Sequence, residues 1–193
     1  LRAWGIEPGD VATDFTLYAL NRVASQAIAS KAIANRGTGS VRVTLSVEDD
    51  LRNLRAQLGN TGYGGDEAPA IEHQAILYKD TPLFIAESCS LTALHNGCPT
   101  SKVCGYRTLE VENPKGERFF VAHESCKSIV YGKDAYSVTQ HRDQFEALGV
   151  HRFRVDFLTR NYESGEVSKI IRAALEGKSV DATHSANFNG ELL

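Results

Sequence analysis

Residues 41–58, VRVTLSVEDDLRNLRAQL, read as a short strand that runs straight into a helix. VRVTL is rich in β-branched residues, which suit a pleated, half-buried strand. Ser46 is placed to cap the helix that follows. Glu48 and two aspartates fall where its positive end lies, and Gly59 stops it. The same strand–helix alternation extends outward in both directions. Upstream, VATDFTLY (11–18) alternates as a strand, and residues 22–35 have the alanine content and apolar spacing of a helix. Downstream, AIEHQAILY and PLFIAES form a third strand region over 70–86, interrupted by the turn KDTP. A helix is expected over 135–148, a strand over 151–157, and a helix over 164–176 with Gly177 just past its end. The tail from Asp181 has no period and reads as loop. Four strands separated by single helices imply parallel pairing through right-handed crossovers. The expected fold class is therefore α/β: half of a (β/α)8 barrel of the TIM type, or a small open sheet.

Between the third strand and its helix lies one long excursion, residues 87–130, within what reads as a single domain over 1–193. Its segment RTLEVENPKGERFFVAHE reads as a β-hairpin with NPKG at the turn. In a barrel this excursion emerges on the C-terminal face, where active sites sit. The glycine-rich stretch 60–69 carries no phosphate-binding pattern and reads as a surface loop.

All four cysteines, Cys89, Cys98, Cys104 and Cys126, lie in the excursion with the spacing C-x8-C-x5-C-x21-C. Four thiolates close a tetrahedral zinc site or hold an iron–sulfur cluster. Zinc sites usually show tight C-x2-4-C knuckles, and none occur here. Disulfides need an oxidising compartment, and inert thiols would be spread among the strands. From the residues alone, cluster, zinc, disulfides and buried thiols all stay open.

With 193 residues, 42% apolar and 23% charged content and a net charge of −3, the chain is an ordinary globular sequence. So neutral a balance argues against broad charge-driven binding to nucleic acid or membrane. No apolar run approaches the roughly 18 residues of a membrane span, and no signal peptide is recognised, so a cytoplasmic location is expected. The chain begins with Leu1 and contains no methionine, which suggests part of a longer polypeptide.

YKDTPLFIAESCSLTALHNGC resembles the stretch of the collagenase-like peptidases (peptidase family U, number thirty-two) in which a Tyr-Gly-x-x-Pro-Leu-Met strand runs into the first cysteine. The following C-x5-C, the hairpin with a Lys-Gly turn and the later cysteine are similar to that family's downstream pattern. RVTLSVEDDL, FTLYALN and LGVHRFRVDF resemble further family strands, and THSANFNGELL a weakened C-terminal motif. The resemblance covers roughly Asp14 to Leu193 and corresponds to the second half of the family's barrel. Val47 stands where the family tends to have proline and Lys79 where it tends to have glycine, and the tail lacks Thr-Arg-Gly. The resemblance implies a missing N-terminal half-barrel, in the same polypeptide or as a second subunit. It also implies a 4Fe–4S cluster on Cys89, Cys98, Cys104 and Cys126, with zinc as the alternative. The activity implied is oxygen-independent hydroxylation of an RNA base or of an aromatic or quinone precursor; the family name suggests peptide-bond hydrolysis instead.

Polar residues at strand C-termini are the candidates for a pocket: Asn21, Ser46, Glu87 and Asp156. Arg154 alternates with Asp156 and is expected to point the same way. His95 lies between two candidate ligands and is expected near cluster or substrate, so the candidate catalytic set is Glu87, His95, Arg154 and Asp156. His123 and His184 read as ordinary polar residues. For a peptidase there is no G-x-S-x-G elbow and no H-E-x-x-H, and no nucleophile stands out. A third expectation is a non-catalytic half-barrel scaffold, because half a barrel exposes its sheet edges.

Overall fold

The structure, a computed structural model, describes residues 12–34, 41–59, 71–100, 104 and 108–190. The loop expected over 60–69 lies outside the described residues. The chain opens with β1 (Ala12–Thr13), followed by a 3-10 turn at Phe15–Leu17 and by α1 (Arg22–Ala34). The long first strand expected over 11–18 is thus only two residues within the described part. Asp14 accepts a hydrogen bond from the Phe15 N–H (2.8 Å) and turns the chain. β2 (Val41–Thr44) and α2 (Leu51–Leu58) come next. The cap of α2 is Asp50, whose side chain accepts from the Asn53 N–H at 2.7 Å, and not Ser46. Ser46 accepts from the Glu48 N–H instead, in a local turn that delays the helix.

The third strand region divides at Lys79. β3 (Ile71–Lys79) belongs to one sheet and β4 (Pro82–Ala86) to another. Then follow α3 (Ser90–Leu94), β5 (Leu109–Glu112), β6 (Arg118–Glu124) and β7 (Lys127–Gly132). β4, β7, β6 and β5 pair in that order as an antiparallel sheet, so the expected hairpin is half of a four-stranded structure. The turn between β5 and β6 forms for the reasons its residues suggest. Asn113 Oδ1 accepts from the N–H groups of Lys115 (2.9 Å) and Glu117 (3.0 Å), and Gly116 supplies a positive φ of 81°. The β6–β7 turn is tighter. Ser125 and Cys126 both take positive φ, 49° and 62°, where a two-residue hairpin prefers Asn-Gly.

Residues 135–148 are not one helix. β8 (Ala135–Ser137) is a buried strand antiparallel to the end of β3, a 3-10 turn spans Thr139–His141, and only α4 (Arg142–Ala147) is helical. Tertiary pairing overrides local propensity here: the Val138 N–H donates to the Leu77 carbonyl at 2.9 Å. The chain ends with β9 (Arg152–Val155), α5 (Ser164–Glu176) and β10 (Thr183–His184). Gly177 closes α5 with φ 64°.

The first sheet has the order β1-β2-β3-β8-β10, and β9 also pairs with β3. β1, β2, β3 and β9 are parallel neighbours in chain order. The protein is therefore a mixed α/β structure with a parallel-stranded sheet flanked by helices, and a separate antiparallel sheet inserted after β3. Ala75, Ile76, Leu77, Tyr136, Val138, Phe145 and Phe188 form the centre of the main core. Phe188 comes from the tail read as loop, yet it is only 1% exposed. It stacks on His141 (ring centroids 4.6 Å) and packs on Phe145 (5.6 Å), while its carbonyl accepts from the Leu51 N–H at the start of α2. A single buried aromatic leaves no period to read. Among the described residues no helix is long and apolar enough to cross a membrane.

Phe188→Ala should destabilise the fold by about 3–5 kcal/mol, the cost of a large aromatic cavity. Urea unfolding would show this as a lower midpoint with an unchanged slope; a loss under 1 kcal/mol would mean the tail is not part of the core.

Candidate functional site

A cavity of about 450 Å³ opens at the C-terminal ends of the parallel strands. One wall comes from Asp14 after β1, Lys79 and Asp80 at the end of β3, and Arg154 and Asp156 at the end of β9. The opposite wall is the inserted sheet, with Ala122, His123 and Glu124 of β6 and Ile129 and Tyr131 of β7. Side chains alternate along a strand, so Arg154 and Asp156 share a face, and the sequence expectation for this pair agrees with their placement.

Three arginine–carboxylate links organise the wall. Arg154 Nε donates to Asp156 Oδ1 at 2.5 Å, and its Nη1 donates to Asp14 Oδ1 at 2.9 Å, tying the end of β9 to the turn after β1. Arg160 Nε donates to Asp80 Oδ1 at 2.8 Å and Nη1 to the Lys133 carbonyl at 2.8 Å. The Tyr162 hydroxyl donates to Asp80 Oδ2 at 3.0 Å, so this buried carboxylate is held at both oxygens. The Arg160 guanidinium also lies 4.9 Å from the ring of Phe120, which stacks on Tyr131 (4.9 Å), and so couples the two sheets.

Lys79 is the residue these links leave over. It is 6% exposed, lines the cavity, and its Nζ sits 3.3 Å from the centre of the Phe15 ring. Among the described residues no carboxylate lies within 4.0 Å of Nζ, because Asp14, Asp156 and Asp80 are engaged by arginines. Burial lowers its pKa to about 8 against the opposing pull of Asp156 and Asp14.

A second arrangement lies at the edge of the cavity. Ser90 Oγ and His123 Nε2 are 2.7 Å apart, and the Ser90 N–H donates to Ser128 Oγ at 2.8 Å. β6 and β7 place His123 and Ser128 in register, and α3 delivers Ser90 to them.

The remaining candidates are dispersed. Glu87 is exposed and paired with Lys127 at 2.8 Å. His95 is exposed at the C-terminal end of α3. Neither lines the cavity. Asn21 Oδ1 accepts from the Ala24 N–H at 2.9 Å, an N-cap of α1, and His184 Nδ1 accepts from the Ala186 N–H. All four cysteines are free thiols: Cys98 and Cys126 exposed, Cys89 and Cys104 half-buried. The Cys89 thiol pKa is lowered, chiefly by the nearby backbone N–H of Thr92 in the first turn of α3. Among the described residues no group of three or more His, Cys, Asp or Glu side chains is close enough to hold a metal ion.

Asp14, Phe15, Asp80, Ser90 and, as a functional group, Lys79 were not legible as site residues. For Lys79 and Asp80 a signal existed: they end the otherwise apolar run AILYKD, and polar residues at strand C-termini face such cavities. No family model, curated protein or solved structure matches the chain.

The Lys79 shift has a sign that can be checked. Below pH 8 both folded and unfolded chains carry the proton, and burying the charge costs a constant amount. Between about 8 and 10.5 the folded chain sheds the proton first, so stability rises with pH. Lys79→Met should therefore stabilise at neutral pH by up to about 3 kcal/mol, the gain fading between pH 8 and 10.5. Chemical denaturation at pH 7 and pH 10 measures it; a gain that does not shrink with pH would refute the buried charge.

Proposed function

We propose that this chain is the C-terminal half of a (β/α)8-type enzyme of the collagenase-like peptidase family, with its substrate bound in the cavity at the strand ends. The observation that carries this reading is the position of the cavity. It lies at the C-terminal ends of β1, β3 and β9, three of the four parallel neighbours, where barrel enzymes keep their chemistry. The excursion after the third strand covers it. β1 lies at one end of the strand order, and exposed apolar residues gather just beyond it, Leu17, Tyr18 and Val23 among them (Val23 73% exposed). An N-terminal half-barrel, in the same polypeptide or as a second subunit, would cover these residues and supply further strands.

The reaction proposed from the resemblance is hydroxylation, without molecular oxygen, of an aromatic or quinone precursor or an RNA base. Arg154 and Asp156 are then the groups that face the substrate, Asp156 as acceptor and Arg154 as donor, each oriented by the other. The resemblance also assigns a 4Fe–4S cluster to Cys89, Cys98, Cys104 and Cys126. Their dispersed placement does not support it, and no step is assigned to it. Preparation without oxygen, followed by iron, sulfide and zinc analysis of wild type and Cys98→Ala, tests the cluster. About four irons and four sulfides per chain, lost in the variant, would uphold the cluster against this placement; zinc or no metal would remove it from the proposal. Asp156→Asn should lower turnover of the joined halves about 100-fold or more with unchanged metal content.

One observation favours hydrolysis as a second reading. A serine within hydrogen-bond reach of an imidazole is the minimal arrangement for acyl transfer. A fluorophosphonate probe should then label Ser90, and Ser90→Ala or His123→Ala should abolish the labelling. Wild-type protein that stays unlabelled would end this reading.

A further inference from the structure

The geometry points to Lys79 as a covalent attachment point: its amine condenses with a small uncharged aldehyde or ketone held in the cavity, forming an imine. This rests on the reading of the cavity as a substrate site, but not on hydroxylation, on the cysteines or on the Ser90–His123 pair.

The amine is buried, faces the cavity and makes no ion pair among the described residues, where Arg154 and Arg160 occupy the neighbouring carboxylates. The centre of the Phe15 ring lies 3.3 Å from Nζ and walls one side of it. A lysine desolvated in this way is available as a nucleophile near neutral pH. The chemistry of the lining chooses the partner. Asp14, Asp80, Asp156 and Glu124 line the cavity with Lys79 and Arg154, and Arg160 pairs with Asp80 from beside it, four carboxylates against three cations, with His123 among the lining residues. An anionic carbonyl compound meets net repulsion there, whereas the positive charge of a protonated imine is stabilised. Ile129, Tyr131 and Phe15 supply apolar surface for an uncharged body.

The step balances without an external oxidant or reductant. The nitrogen lone pair bonds to the carbonyl carbon as the carbonyl π pair moves to oxygen, which gains a proton. The carbinolamine then loses that oxygen as water. Amine and carbonyl give imine and one water.

The test uses wild-type chain at pH 7.5 with benzaldehyde as the uncharged probe and glyoxylate as the anionic one. Cyanoborohydride, the added reductant, traps any imine as a secondary amine, and peptide mapping by mass spectrometry locates it. Benzaldehyde should modify Lys79 at least about tenfold faster than exposed lysines such as Lys115 and Lys169 in the same chain. Glyoxylate should show no such preference, and Lys79→Arg should lose the mark at that position alone. Because the comparison is internal to one folded chain, it does not depend on any variant folding. Saturation-transfer NMR with benzyl alcohol, which has the same shape and no carbonyl, reads occupancy of the cavity separately. Benzyl alcohol binding with no preference for Lys79 overturns the imine and leaves the cavity reading standing. Neither binding nor preference overturns both.

Discussion

Everything in this protein hangs on β3 and on the requirement that a buried strand find partners for its backbone. Ala75 to Lys79 are all buried, so no water is available to their N–H and C=O groups. β3 meets the requirement piecewise. Its first half pairs with β2, its middle with β9 and its last two residues with β8. A register shift between Ile76 and Tyr78 lets the Leu77 carbonyl reach Val138 and the Tyr78 carbonyl reach Asp156. That shift places the polar pair Lys79–Asp80 at the sheet edge.

From this edge the charged groups sort themselves by geometry. Guanidinium groups match carboxylates with several parallel donors, and a lysine ammonium is a single point charge. Arg154 and Arg160 take Asp14, Asp156 and Asp80, and Lys79 is left against Phe15 with a lowered pKa. The inserted sheet completes the cavity and brings His123 against Ser90, two residues 33 apart in sequence. The cysteines follow a different logic. Cys126 occupies a positive-φ position that a hairpin would give to glycine, while Cys98 is exposed. Nothing in the packing explains their concentration in one segment.

Much of the architecture was legible because it repeats locally. α5 with its terminal Gly177, the NPKG turn and the strand–helix unit over 41–58 each carry their signal within a dozen residues. The misreadings share a cause as well. Ala135–Ser137 sit in a segment of fair helix propensity and become a strand only because β3 offers a backbone partner. Asp50 displaces Ser46 as the cap because Ser46 bonds locally to Glu48. Within the site, Asp156 is legible as a polar residue at a strand C-terminus and Arg154 through its alternation with Asp156. Glu87 reads as a polar residue at a strand C-terminus and His95 as a neighbour of two cysteines, and the structure turns both to solvent.

The sequence by itself determined what is written in short-range periodicity: the class of the protein, the parallel order of its main strands, and the excursion after the third. Periodicity and turn chemistry act over a few bonds, so they survive without tertiary context. Only the tertiary structure decided where β3 ends, which carboxylates the arginines claim, and that Lys79 lines a cavity without an ion pair among the described residues. Those outcomes depend on competition between groups as many as 140 positions apart, such as Arg154 and Asp14. Such a competition is resolved by distance and burial in the folded chain.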